Sequence, residues 1–152
     1  MKGFTLFEVL ITTVIFAFVA GGIYGILVIA TSNYDAEEAS LNLQRQARQG
    51  MNWLVRDVRQ AYLSTIPNKT QSRSSIAFDI PGETGITYSI VAGQLVRKGV
   101  VVANNITSLT FAPIVGNNIQ KITLEASKDL RLLGKIQTPK FSLTEQVQIR
   151  NQ

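Results

Sequence analysis

Glu8 is the only charged residue between Lys2 and Asp35, and it stands where an apolar run from Val9 to Ala30 begins. A carboxylate is costly in lipid, by about +2.5 to +3.5 kcal/mol at a helix centre and less toward the ends. A charge so placed calls for a partner or a task. The rest of the chain offers little reactive chemistry. There is no histidine and no cysteine, which removes the usual zinc and copper ligands, the commonest acid–base group, the thiol nucleophile and any disulfide. The acids after residue 64 are Asp79, Glu83, Glu125, Asp129 and Glu145. They lack the closely spaced Asp/Asn set of a calcium loop, and Asp79-x-x-x-Glu83 across Pro81-Gly82 reads as a turn. Ser127-Lys128 reads as a loop after a strand, and the isolated glycines form no phosphate-binding loop. Neither enzymatic activity, nor a cofactor, nor a metal is expected.

The elements that must hold Glu8 follow from the pattern around it. Phe4 to Ala30 reads as one helix of 27 residues, extending about 40 Å, long enough to cross a bilayer. Its β-branched residues, Ile11 to Ile15, do not argue for a strand, because a single segment in lipid satisfies its backbone only as a helix. The run is too long for the roughly 7–15-residue core of a secretory signal, and no Ala-x-Ala site closes it. Gly21, Gly22 and Gly25 include a Gly-x-x-x-Gly spacing, read either as a close-packing face or as ordinary membrane-helix glycines. With Thr31-Ser32-Asn33 they leave open a break over residues 21–33.

A second, one-faced helical pattern follows. Leu43, Ala47, Met51, Leu54, Val58 and Ala61 or Tyr62 recur at spacings of three and four, a core-facing stripe. Trp53 flanks it, and Arg45, Arg48, Arg56 and Arg59 take the other faces. Arg56 and Asp57 are not expected to pair, since helix-face ion pairs need a spacing of three or four. The helix is expected to end near Leu63, before Pro67. From Ser75 the period becomes two. Strands are expected at Ile76–Ile80, Ile86–Val91, Gln94–Arg97, Val100–Val102, Ile106–Phe111, Ile119–Ala126 and Lys140–Ile149, with a two-residue hairpin at Ala92-Gly93. One sheet face should cover the helix stripe, giving an α+β fold: a long N-terminal helix packed on an antiparallel β-sheet head.

Gly3-Phe4-Thr5-Leu6-Phe7-Glu8-Val9-Leu10 resembles the N-terminus of type IV pilins and of the pseudopilins of type II secretion. The resemblance implies cleavage after Gly3 by a prepilin peptidase, N-methylation of Phe4, and pairing of Glu8 with the Phe4 amine of a neighbouring subunit. Lys2 suits a cytoplasmic leader, and Gly3, without a Cβ, lets an extended chain lie close to a protease. Arg56 to Ala61, Tyr88 to Arg97, Ile106 to Phe111 and a last strand closing on Ile149-Arg150-Asn151 look like the J-type minor pseudopilins and W-type minor pilins. That likeness implies a low-copy subunit that primes or caps a filament.

The expected divisions are a leader at 1–3, a membrane or filament-core helix at 4–30, an amphipathic helix at 31–64 and a β-rich head at 65–152. The expected partners are the peptidase/methyltransferase, other pilin-like subunits, the inner-membrane assembly platform and the membrane. The head is expected outside the cytoplasm. A tip-located binding module for adhesion, DNA uptake or an exported substrate is the alternative, and a stand-alone membrane-anchored sensor or chaperone is a third reading. The net charge of +5 is spread without a run of five or six basic residues, which argues against a dedicated nucleic-acid patch.

Overall fold

The structure, a computed structural model, describes residues 5–66, 72–114, 118–132 and 135–150. The chain divides into two compact units, Met1–Glu37 and Glu38–Gln152. A single helix, α1 (Leu6–Gln60), contributes to both.

In the first unit α1 is helical through Gly21, Gly22 and Gly25 and through Thr31-Ser32-Asn33, without the break left open from the sequence. Its threonine hydroxyls are satisfied within the helix: Thr12 Oγ1 donates to the Glu8 and Val9 carbonyls, Thr13 to Val9, and Thr31 to Leu27 and Val28, at 2.8–3.1 Å. Polar, β-branched side chains thus enter an apolar helix without an orphan group. α1 is long and apolar enough to cross a membrane, and none of its most apolar window is buried within the chain.

In the second unit the stripe behaves as its spacing predicts. Leu43, Ala47, Met51, Leu54, Val58 and Ala61 are buried, while Tyr62 is exposed. The helix stops at Gln60, three residues earlier than expected. The Ala61 N–H bonds back to Val58 at 3.2 Å, and the Tyr62 N–H leaves the helix for the Asp79 carbonyl at 2.9 Å. The Asp79 N–H in turn donates to Thr65 Oγ1 at 3.0 Å. The chain after α1 is therefore pinned to the first strand before Pro67 is reached; Pro67 itself lies outside the described residues.

The strands form separate sheets where one was expected. The first is β1 (Ile76–Ile80), β2 (Glu83–Val91), β3 (Gln94–Arg97) and β4 (Val100–Asn104), antiparallel in chain order. The second is β5 (Ile106–Ile114), β6 (Ile119–Ser127) and β9 (Lys140–Gln148), also antiparallel. Two short strands missed in the sequence, β7 (Leu130–Leu132) and β8 (Lys135–Gln137), pair as a ribbon. Two of the first sheet's three turns have positive φ at each central residue: 49° and 74° at Ala92-Gly93, 48° and 84° at Lys98-Gly99. Such turns match strand twist, so two-residue loops suffice. At Asn105 the chain passes between sheets, with the Ile106 N–H donating to Gly93 and the Ser127 N–H to Asn105.

The core joins both sheets to the helix. Phe78, Ile86, Tyr88 and Leu95 come from the first, and Ile106, Leu109, Phe111, Ile122, Leu124 and Val147 from the second. Gly50 is a point of close approach. A Cβ there would meet Leu95 Cδ2 at 2.9 Å, Ala103 Cβ at 3.2 Å and Leu124 Cδ1 at 3.6 Å, so helix and both sheets meet where no side chain fits.

Candidate functional site

The N-terminal site is built on a helix cap. Thr5 precedes α1, and its Oγ1 accepts the Glu8 N–H at 3.3 Å, with the Thr5 carbonyl receiving the Glu8 and Val9 N–H groups at 3.1 and 3.2 Å. Thr5-Leu6-Phe7-Glu8 has the Thr-x-x-Glu order of a capping box. That signal was in the sequence and went unread. Glu8 thus lies in the first turn, where a carboxylate favours the helix dipole. It is exposed, as are Leu6, Phe7, Val9 and Leu10 beside it. Gly3 and Phe4, the expected cleavage and methylation residues, lie outside the described residues. The arrangement presents a carboxylate on a capped, apolar helix end, suited to receive a cation in a medium of low dielectric.

A second polar constellation lies in the other unit and was not anticipated. Asp57 sits beside the core stripe and is 1% exposed. Its Oδ2 accepts the Tyr88 hydroxyl at 2.8 Å and Arg97 Nε at 2.7 Å. Its Oδ1 accepts Arg56 Nε at 3.2 Å. This corrects the expectation that Arg56 and Asp57 do not pair. The spacing rule concerns side chains projecting side by side, whereas the long Arg56 chain folds along the helix and reaches its neighbour. Arg97 also forks onto Glu83, Nη1 to Oε1 at 3.2 Å and Nη2 to Oε2 at 2.6 Å, and Lys98 Nζ lies 3.3 Å from Glu83 Oε1. Trp53 is half-buried, with the Arg56 guanidinium 4.0 Å from its ring centre and that of Arg97 at 5.8 Å.

The electrostatics follow from the contacts. The Arg97 hydrogen bonds hold Glu83 below the ordinary carboxylate value. Burial, and then the hydrogen bond to Asp57, push the Tyr88 phenol far up, so it stays a donor. Hydrogen bonding to Glu83, then to Asp57, raises Arg97 further. Every strong group faces a partner inside the unit, so the constellation ties α1 to the β2–β3 hairpin. Register brings it together, since Tyr88 and Arg97 lie directly opposite each other.

The remaining candidates separate. Asp79 Oδ1 accepts the Gly85 N–H at 2.6 Å, an ordinary turn contact across Pro81-Gly82. Glu145 is exposed on β9, an edge strand. No group of three or more His, Cys, Asp or Glu that would hold a metal occurs among the described residues.

Residues 1–24 match the model of the prokaryotic N-terminal methylation motif. No curated protein and no solved structure matches the chain at significance. The motif, with the apolar helix it opens, supports a membrane-anchored, type IV pilin-like protein processed by a prepilin peptidase and assembling with pilin-like subunits. Proteins of this kind are structural subunits rather than enzymes.

Proposed function

We propose that this chain is a minor pilin or pseudopilin, a low-copy structural subunit that primes or caps a type IV pilus or a type II secretion pseudopilus. The methylation motif at residues 1–24, set on a capped helix with Glu8 in its first turn, is the observation that carries the reading. Residues 1–3 are the leader. The peptidase cuts between Gly3 and Phe4, and the new Phe4 amine is methylated. Residues 4–30 anchor the subunit in the bacterial inner membrane and then line the filament. Residues 31–64 and the β-rich head at 65–152 stand outside the cytoplasm and meet other subunits and the assembly platform. The minor role rests on the J- and W-type resemblance of residues 56–61, 88–97 and 106–111.

In the filament Glu8 pairs with the Phe4 amine of the next subunit, an ion pair little screened in a packed apolar core. The Thr-x-x-Glu spacing gives a second reason for Glu or Gln at this position, and one substitution separates the two. Gln serves a capping box as Glu does but carries no charge. Intact-mass analysis of the membrane fraction is the test. The expected product begins at methylated Phe4, and Gly3→Val leaves the chain uncut. Glu8→Gln is expected to insert normally yet lose cross-linking to neighbouring subunits. A mature chain starting elsewhere, or a Glu8→Gln chain that incorporates like the parent, overturns the assignment.

A further inference from the structure

The outer face of the second sheet is rich in hydroxyls. Side chains alternate along a strand, so the buried Ile122, Leu124 and Ala126 of β6 leave Lys121, Thr123, Glu125 and Ser127 facing outward. The register sets Thr144 beside Thr123, Ser142 beside Glu125 and Lys140 beside Ser127. Thr123 and Thr144 share a hydrogen bond of 3.1 Å between their hydroxyls. On the other side of β6, Thr107 is the extra residue of a bulge, between Ile106 opposite Ala126 and Ser108 opposite Glu125. Its Oγ1 donates to the Glu125 carbonyl at 3.3 Å, which holds it beside the same end of the face.

At that end lies a cavity of about 440 Å³, lined by Thr107, Glu125, Ser127, Lys140 and Ser142. Ala126 and Phe141 also border it, but Ala126 is buried and Phe141 packs on the core, so these two contribute backbone. The size falls within the roughly 300–1,000 Å³ of small-ligand sites. Beyond it the ribbon β7–β8 begins, its base tied by Thr138 Oγ1 donating to Asp129 Oδ1 at 2.6 Å. Glu125 and Lys140 stand diagonally across adjacent strands, within reach of each other for side chains of their length. They form no ion pair and no side-chain hydrogen bond among the described residues. A carboxylate and an ammonium thus flank the cavity instead of closing it.

We propose that this cavity binds a short saccharide. Its five side chains cover every hydrogen-bonding role: the carboxylate only accepts, the ammonium only donates, and the three hydroxyls do both. A vicinal diol suits that set, because each sugar hydroxyl also donates and accepts. One hydroxyl donates to Glu125 while its neighbour accepts from Lys140, and Thr107, Ser127 and Ser142 serve the others. The Thr123–Thr144 pair continues the polar surface about 7 Å along the strands, room for a second ring. A free amino acid would satisfy the two charges and leave the hydroxyls without a role. A phosphate would meet the Glu125 carboxylate. The inference is independent of the filament-subunit reading, since every residue it uses lies in the head.

Saturation-transfer NMR on the full-length chain tests this with cellotriose and triacetylchitotriose, in a polyoxyethylene detergent that carries no sugar head group. At least one trisaccharide is expected to take up saturation. Glu125→Gln and Lys140→Met are each expected to cut that signal about fivefold or more, the loss of a hydrogen bond to a charged group. Gln146→Ala, one outward position beyond Thr144 on β9, is expected to leave it unchanged. All three residues are exposed, so the thermal transition of each variant should stay in place and separate lost contact from lost fold. No transfer to either trisaccharide overturns the site. Transfer that survives Glu125→Gln or Lys140→Met overturns it too, by placing the sugar elsewhere. Free alanine that takes up saturation through Glu125 and Lys140 while the sugars do not assigns the cavity to a zwitterion and also overturns the proposal. None of these results bears on processing at Gly3-Phe4, so the filament reading stands or falls separately.

Discussion

Leu6, Phe16 and Phe18 are 85, 73 and 79% exposed, whereas Leu43, Leu54 and Val58, on the same helix, are at most 1% exposed. The first segment is apolar on every side and the second on one. A helix apolar all round finds its partner outside its own chain, in lipid or in neighbouring helices, while a one-faced helix is complete once a sheet covers it. The first segment therefore keeps an apolar surface that nothing in its own chain covers, while the second holds a head in one conformation.

Charge substitution should break that contrast most visibly. Met51→Asp buries an unpaired carboxylate between helix and sheets and is expected to cost about 4 kcal/mol or more. Thermal unfolding of the detergent-solubilised chain, read from the single Trp53, should show no cooperative transition. Phe16→Asp should leave that transition in place and lower membrane insertion instead. Equal effects at both positions would erase the distinction.

The Asp57 constellation should come next. Asp57→Ala leaves Arg97 facing only Glu83 and the Tyr88 hydroxyl without its acceptor, and is expected to cost about 3–5 kcal/mol. Arg97→Met in the same chain should recover part of the loss, because the cation that has lost one of its two carboxylates is gone. A double variant as weak as the sum of the singles would deny the coupling.

Glycine to alanine should change sign between the regions. At Gly50 the new methyl group meets Leu95 and Ala103, and overpacking costs about 1–3 kcal/mol. At Gly22 nothing lies within 4 Å, so Ala should stabilise the helix by up to about 1 kcal/mol. Melting of the two variants measures both signs. A Gly22→Ala chain that melts normally but fails to assemble would show that this glycine packs against another helix.

The smallest effect is on pH. Glu83 has a lowered value in the folded chain, so its pairing is fully present above the ordinary value of 4.5 and is lost as pH falls through the lowered one. Tyr88 has a raised value, so its contribution is fully present below the ordinary 10.0 and declines as pH rises beyond it. Glu83→Gln should flatten the acid limb of a melting-versus-pH curve, and Tyr88→Phe the alkaline limb. Unchanged limbs would remove the network from the account of stability.

Much of this was legible because two periods dominate the chain. The stripe from Leu43 to Ala61 and the alternation in β1, β3 and β6 gave helix and strands nearly to their observed ends. What escaped depended on distance rather than pattern. Asp57 lies beside the stripe, but only the facing of Tyr88 and Arg97 across a hairpin reveals why an acid is tolerated there. The division into separate sheets turns on Asn105, whose φ of 59° breaks the meander and leaves no mark in hydropathy. The strands β7 and β8 are only three residues each, too short to show a period. The Thr5–Glu8 cap, by contrast, is readable from the Thr-x-x-Glu spacing alone.

Gly50 acts like a keyway in a shaft. A contact made by side chains yields by changing rotamers, so a helix resting on them can roll by a few degrees. A bare backbone seated against Leu95, Ala103 and Leu124 has no side chain of its own to yield. Within residues 38–60 the azimuth of α1 is therefore fixed by where a side chain is missing, and the outward bearing of Arg45, Arg48 and Arg59 follows from it. Torque applied to this stretch of helix would be delivered to both sheets together.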